Sequence, residues 1–265
     1  MNNFKKVQLS KSKNRSILNG EAVWENYRYN LTNAINSFCW DIIWHGEHSN
    51  RGLIISGILE SLKKSEYMQI ERRTSSGRAD IVILSKNSSE VIELKNRNIF
   101  VNVSLSEYSK NPDLYLQKFI DNLETKNIDK LKEQVFKVNE QAKRYKKSLS
   151  VEGWKINSST SLIFNQLVFV PGEIKIKKWA TKKKELLIFN EFYKNFIKKT
   201  SKNLLFKKSI SGNNGIAFLP THPSLSVPQN KNIMKAYFSA PIKKDQRNEY
   251  LKYFGGIIAI WHVDK

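Results

Sequence analysis

Residues 77–95, GRADIVILSKNSSEVIELK, decide the reading of this chain. Two apolar runs, IVIL and VIEL, carry acids at their edges, and the Lys-Asn-Ser-Ser between them has a turn composition, so the stretch is predicted to be a β-hairpin. Asp80 opens the first run, and Glu93 interrupts the second just before Lys95. Strand side chains alternate with a period of two, which puts Val91, Glu93 and Lys95 on one face and Ile92 and Leu94 on the other. Asp80 joins the Glu93 and Lys95 patch only in the right register, and sequence leaves register open.

Charged groups inside apolar runs are costly to bury unless they are paired or hold a metal. Two facing carboxylates suit a hard divalent cation such as Mg2+, with Mn2+ as a substitute, and a lysine beside them can position an attacking water or offset charge on a phosphate. The alternative is an exposed hairpin with an ordinary Glu-Lys pair on its wet face.

On two consecutive apolar strands after a helix, Asp80 followed by Glu93-Leu94-Lys95 resembles the PD-(D/E)xK nuclease superfamily. Ala79 stands where that family usually has proline. The family places a further acid at the start of its first core helix, and Gly46-Glu47 ahead of the helical run from Arg51 resembles that element. On a helical wheel Glu47 falls with Arg51, Ile54, Ile55, Ile58 and Leu62 on the apolar face, whereas Glu60, the second choice, points the opposite way. Gln141 and Tyr145 match the QxxxY signature of the RecB-type branch and share one helical face, although Tyr145 also continues a core stripe with Leu131, Val135, Val138 and Ala142.

The resemblance spans roughly residues 47–171 and implies an α/β fold with a restriction-endonuclease-like αβββαβ core around a central mixed sheet. It implies that Asp80 and Glu93 hold Mg2+, that Glu47 completes the metal site, that Lys95 assists the attacking water, and that Gln141 and Tyr145 brace the site or the substrate. The expected activity is Mg2+-dependent hydrolysis of DNA phosphodiesters by a restriction-like endonuclease of a defence system or mobile element. A repair or recombination exonuclease and a non-catalytic nucleic-acid-binding module on the same fold are the alternatives.

Composition is consistent with that partner. The 265 residues carry 45 Lys and Arg against 24 Asp and Glu, a net charge of +21, which favours a polyanion. DNA is the partner expected, with RNA and a second copy of the chain left open. Part of the lysine excess is explicable by an A/T-rich genome. No apolar run is long enough to span a bilayer and the first residues lack a secretory apolar core, so no membrane is expected and the cytoplasm is the expected location. A single cysteine, Cys39, excludes an internal disulfide and a cysteine-based zinc cluster, and the four histidines show no ligand spacing, although His45 and His48 flank Glu47.

Along the chain, residues 1–46 read as a basic arm followed by an amphipathic helix from Glu21, and 47–172 as the nuclease core. Strands are expected over 66–72, 78–84, 90–96 and 161–171, a helix from Pro112 to about Ser148 with a break near Lys126, and over 99–111 irregular chain with room for a short strand. Arg72, Arg73 and Arg78 frame a basic, glycine-containing turn beside the acids, suited to phosphate contact or simply solvated. Residues 173–265 form a basic C-terminal region in which Lys182, Lys183 and Lys184 open an amphipathic helix; phosphate contact and a solvated face explain them about equally well. Strands are expected there over 234–238 and 256–262.

Overall fold

The run INSSTSLIFNQLVFVP, Ile156–Pro171, forms a single strand, β4, buried on both faces at every residue but Asn157. A strand covered on both sides has no wet face to alternate with, so the uncharged polar residues Ser158, Ser159, Thr160, Ser161, Asn165 and Gln166 are buried along with the apolar ones. In the computed structural model the described residues are 16–38, 47–86, 89–175, 181–203, 214–220 and 253–265, with side chains undescribed at a few of these, including 47–50.

The helices are α1 (Glu21–Phe38), α2 (Glu47–Ser61), α3 (Leu105–Lys110), α4 (Pro112–Leu123), α5 (Asp129–Val151) and α6 (Lys183–Asn203). The remaining strands are β1 (Glu66–Thr74), β2 (Gly77–Ser85), β3 (Ser89–Val103), β5 (Asn214–Pro220) and β6 (Tyr253–Asp264). They form one mixed six-stranded sheet in the order β1-β2-β3-β4-β6-β5, in which β3 and β4 run parallel and every other pair is antiparallel. The protein is therefore α/β, with helices on both faces of the sheet. Val23, Trp24, Tyr27, Ile54 and Ile58 of α1 and α2 pack on Ile81, Ile83, Ile92 and Leu94. On the opposite face, Tyr145 and Leu149 of α5 cover Val82 and Val91, while α4, α5 and α6 cover the far half of β3 and β4 through Phe119, Val135, Phe192 and Phe169.

Three expectations need correcting. β3 does not end at Asn96 but continues to Val103, because β4 pairs with it residue by residue beyond Lys95-Asn-Arg-Asn, and Ile99 and Val103 keep the alternation into the core. The short strand allowed for within 99–111 is accordingly the end of β3, and the rest of that stretch holds α3, capped by the Ser104 hydroxyl. The break near Lys126 is a π-helical turn, Glu124–Ile128, which joins α4 to α5 without releasing the chain. β4 also starts earlier than expected, at Ile156.

The strand expected over 256–262 lies within β6, and β5 and β6 extend the sheet that contains β3 and β4. The strand expected over 234–238, Cys39 and His45 lie outside the described residues. No helix among the described residues is long and apolar enough to cross a membrane.

Candidate functional site

β2 and β3 are paired only over Ile81–Ile83 and Glu90–Ile92, after which β3 bonds β4 alone. The register of that short ladder, carried one step further, sets Asp80 opposite Glu93 at the point where the two strands part. The acids thus meet at a split in the sheet. There the Leu94 N–H, left without a strand partner on that side, donates to Asp80 Oδ2 at 2.8 Å.

The β1–β2 ladder is interrupted at the same level. Ile70 pairs with Ile81 and Arg72 with Ala79, but Glu71 and Asp80 form no bridge, and Glu71 has a φ of +53°. Left-handed backbone is unusual for a residue with a long side chain and marks local strain. Ala79 then packs with the Tyr145 cluster, whereas Ile81 and Ile83 pack on the other face, so side-chain alternation slips at Asp80.

Glu93 is almost wholly buried on the face covered by α5. Its Oε1 accepts from Lys95 Nζ at 3.0 Å; its Oε2 is buried and receives no donor among the described residues, and the Asp80 carboxyl lies within side-chain hydrogen-bonding reach of Glu93. Burial first, and the nearby Asp80 carboxylate second, push its carboxyl up to about 7, with Lys95 pulling the other way. The Lys95 side chain is 36% exposed, so its amine stands at the mouth of the site with Glu93 behind it.

Asp80 is held from the α2 side. Arg51 Nη2 donates to Asp80 Oδ1 at 2.9 Å and to the Asp80 carbonyl at 3.4 Å, while Nη1 lies 3.2 Å from Glu71 Oε1. Arg78 Nη1 closes the chain on Glu71 Oε2 at 2.8 Å. Arg51 and Glu71 are the residues that the sequence reading missed in this role. A signal existed for Arg51: a cation on the apolar face of a helix needs a buried partner. For Glu71 there was none, since strand periodicity carries no information on a reversed φ.

α5 braces the hairpin. Gln141 Nε2 donates to the Tyr145 hydroxyl at 2.9 Å, and the Tyr145 ring lies so close to Gly77 that a Cβ there would meet it at 3.1 Å. Gly77, at φ +137°, is thus required twice, for its backbone and for the ring. The turn before it is tied down by Ser75 N–H donating to Glu152 at 3.2 Å and by the contact between the Ser75 and Ser148 hydroxyls.

The structure brings Asp80, Glu93 and Lys95 together, with Tyr145 against the same hairpin and Gln141 bonded to Tyr145. Glu47 begins α2, but its side chain lies outside the described residues. Glu60 is exposed, taking the Asn30 amide and the Ser56 hydroxyl. Arg78 borders the site; Arg73 is exposed on the same hairpin, and Arg72 sits over Trp154 at 5.5 Å, facing Glu152. Lys182 pairs with Glu185 at 2.6 Å, and Lys183 and Lys184 open α6, which packs on α3 and α4 instead of the hairpin.

Among the described residues no three His, Cys, Asp or Glu side chains converge to hold a metal ion. Asp80 and Glu93 nevertheless fit Mg2+, which takes one or two carboxylates and keeps several waters. The buried Glu93 Oε2, which receives no hydrogen bond among the described residues, is the oxygen that such an ion would engage. Compared with protein-family models, with curated proteins and with solved structures, the chain finds no match in any of the three.

Proposed function

We propose that the chain is a Mg2+-dependent DNA nuclease with a restriction-endonuclease-like core. The observation that carries this reading is the split between β2 and β3, where Asp80 faces a buried glutamate whose Oε2 receives no donor among the described residues and Lys95 guards the opening. Fold alone does not license an activity. A buried carboxylate left unsatisfied is costly, and metal binding is a function that repays it.

In this reading Asp80 and Glu93 would hold the ion, and Glu47, at the start of α2, would complete the set. The ion would supply charge neutralisation at the phosphate and a more acidic water. Lys95, held by Glu93, orients the attacking water and offsets charge on the phosphate as the new P–O bond forms and the bond to a deoxyribose oxygen breaks. Tyr145 and Gln141 fix the hairpin that carries Asp80, so that both acids keep their spacing. Arg73, Arg78 and the lysines of α6 would meet the DNA backbone.

Incubation of circular and linear DNA with Mg2+, and with EDTA, tests the reading. Open-circle and linear products from the circle indicate an endonuclease, and loss of linear DNA alone an exonuclease. DNA that is bound and uncut at every Mg2+ and Mn2+ concentration would instead mean a binding module.

A further inference from the structure

Arg51 holds a position that the metal reading does not use. Its side chain is only 12% exposed and it bonds the one Asp80 oxygen that Leu94 leaves open. We propose that Arg51 competes with a divalent cation for Asp80 and that Glu71 is the seat to which it withdraws, so that this pair sets the metal affinity of the site. The proposal rests on the reading of Asp80 and Glu93 as metal ligands.

Three features carry it. Arg51 is a cation in hydrogen-bond contact with Asp80 Oδ1, and like charges brought within ~4 to 6 Å of each other disfavour one another by about tenfold or more in an equilibrium. Arg51 and a divalent ion therefore cannot both sit on that oxygen at full strength. Among the described residues Arg51 is also incompletely satisfied where it is: Nη2 and Nη1 are engaged, but the buried Nε has no partner there. A guanidinium is a rigid fork that pairs best with both oxygens of one carboxylate, and here it is divided between two.

Glu71 offers the better match. It already accepts from Nη1 through Oε1, and its Oε2 is held by Arg78, a half-exposed side chain that exchanges readily with water or with a DNA phosphate. When Arg78 turns away, both Glu71 oxygens face a single guanidinium. The left-handed backbone of Glu71 sits level with Asp80 on the neighbouring strand, which puts the two carboxylates within reach of one arginine. Arg51 thus remains bonded throughout and never has to be left as a buried, unpaired charge.

The test is calorimetric titration of Mn2+ into the full-length chain without DNA, so that it reads binding and not turnover. Arg51→Gln keeps an amide against Asp80 and removes the charge; it is expected to bind Mn2+ about tenfold more tightly than wild type. Glu71→Gln removes the seat and is expected to weaken binding severalfold, an effect that should vanish in the Arg51→Gln background. Equal or weaker binding by a folded Arg51→Gln overturns the proposal. If that variant does not fold, Glu71→Gln, altered at an exposed side chain, decides alone, and unchanged or tighter binding overturns it. Asp80→Asn separates the two levels: if it binds Mn2+ like wild type, the metal-site reading itself fails, whereas loss in Asp80→Asn with no change in Arg51→Gln sinks only the competition.

Discussion

Glu90 and Glu93 stand on one strand, are almost equally buried, and face opposite sides of the sheet. Glu90, toward α1, receives the Ser16 and Thr160 hydroxyls on Oε1 and the Ile17 N–H on Oε2 at 3.0 Å. Glu93, toward α5, receives Lys95 on one oxygen and, among the described residues, no donor on the other. Burial raises the pKa of both. Neither depth nor a shifted proton affinity therefore distinguishes a site from a strut. The distinction lies in how the acceptors are used: Glu90 spends its oxygens anchoring the turn at Ile17–Asn19, and Glu93 keeps one in reserve.

Replacing each acid by its amide is the strongest way to break that comparison. Glu93→Gln should lose cleavage by at least ~100-fold, the size typical of removing one electrostatic stabiliser, together with most Mn2+ binding. Its melting temperature should stay near that of wild type, because an unpaired buried oxygen is exchanged for a neutral amide. Glu90→Gln should cut DNA at the wild-type rate. Cleavage assays on both variants, prepared free of contaminating nuclease, decide it; equal loss in both would make Glu93 another strut.

A smaller effect sharpens the comparison through pH. An acid raised to about 7 is protonated below that pH, and a divalent cation needs the carboxylate. Mn2+ affinity should therefore fall about tenfold per pH unit below 7 and flatten above it. Glu90→Gln should follow the same curve, because Glu90 is not at the site. Titrations at several pH values between 6 and 8 check this, and an affinity flat over that range would remove Glu93 from the ligand set.

The hairpin itself was legible because its chemistry is local. Apolar runs, turn residues and the alternation of Ile92 and Leu94 against Val91 and Glu93 all follow from neighbours in sequence. The apposition of Asp80 and Glu93 was not, since it depends on a ladder of three residue pairs and on where that ladder stops. The polar run Lys95-Asn-Arg-Asn hid the second half of β3, because a central parallel partner, β4, holds a strand that its own pattern does not announce. Glu90 was read only as the first residue of a strand: its partners, Ser16 and Thr160, lie more than 60 residues away on either side. Arg51 was seen on the apolar face but given no partner, as its two carboxylates come from separate strands.

The smallest expected effect is on stability and belongs to Glu90. Glu90→Ala removes the acceptors of two hydroxyls and one backbone N–H, all buried or partly so, and should cost about 1 to 3 kcal/mol in urea unfolding. Glu90→Gln should cost far less, since an amide oxygen can take the Ile17 N–H while its NH2 group donates to the hydroxyls of Ser16 and Thr160. The pH dependence has a definite sign. Burial raises the Glu90 carboxyl above its ordinary value of 4.5, so above that pH the unfolded chain releases a proton that the folded chain retains, and wild-type stability declines as pH rises. A glutamine has no such proton to lose. Relative to wild type, Glu90→Gln should therefore gain ground between pH 4 and pH 7, and hydrogen exchange at the Ile17 amide should stay slow in it and quicken in Glu90→Ala. If Glu90→Gln loses ground over that range, the carboxylate form is the one the fold prefers, and the hydroxyls of Ser16 and Thr160 act as donors to a buried charge.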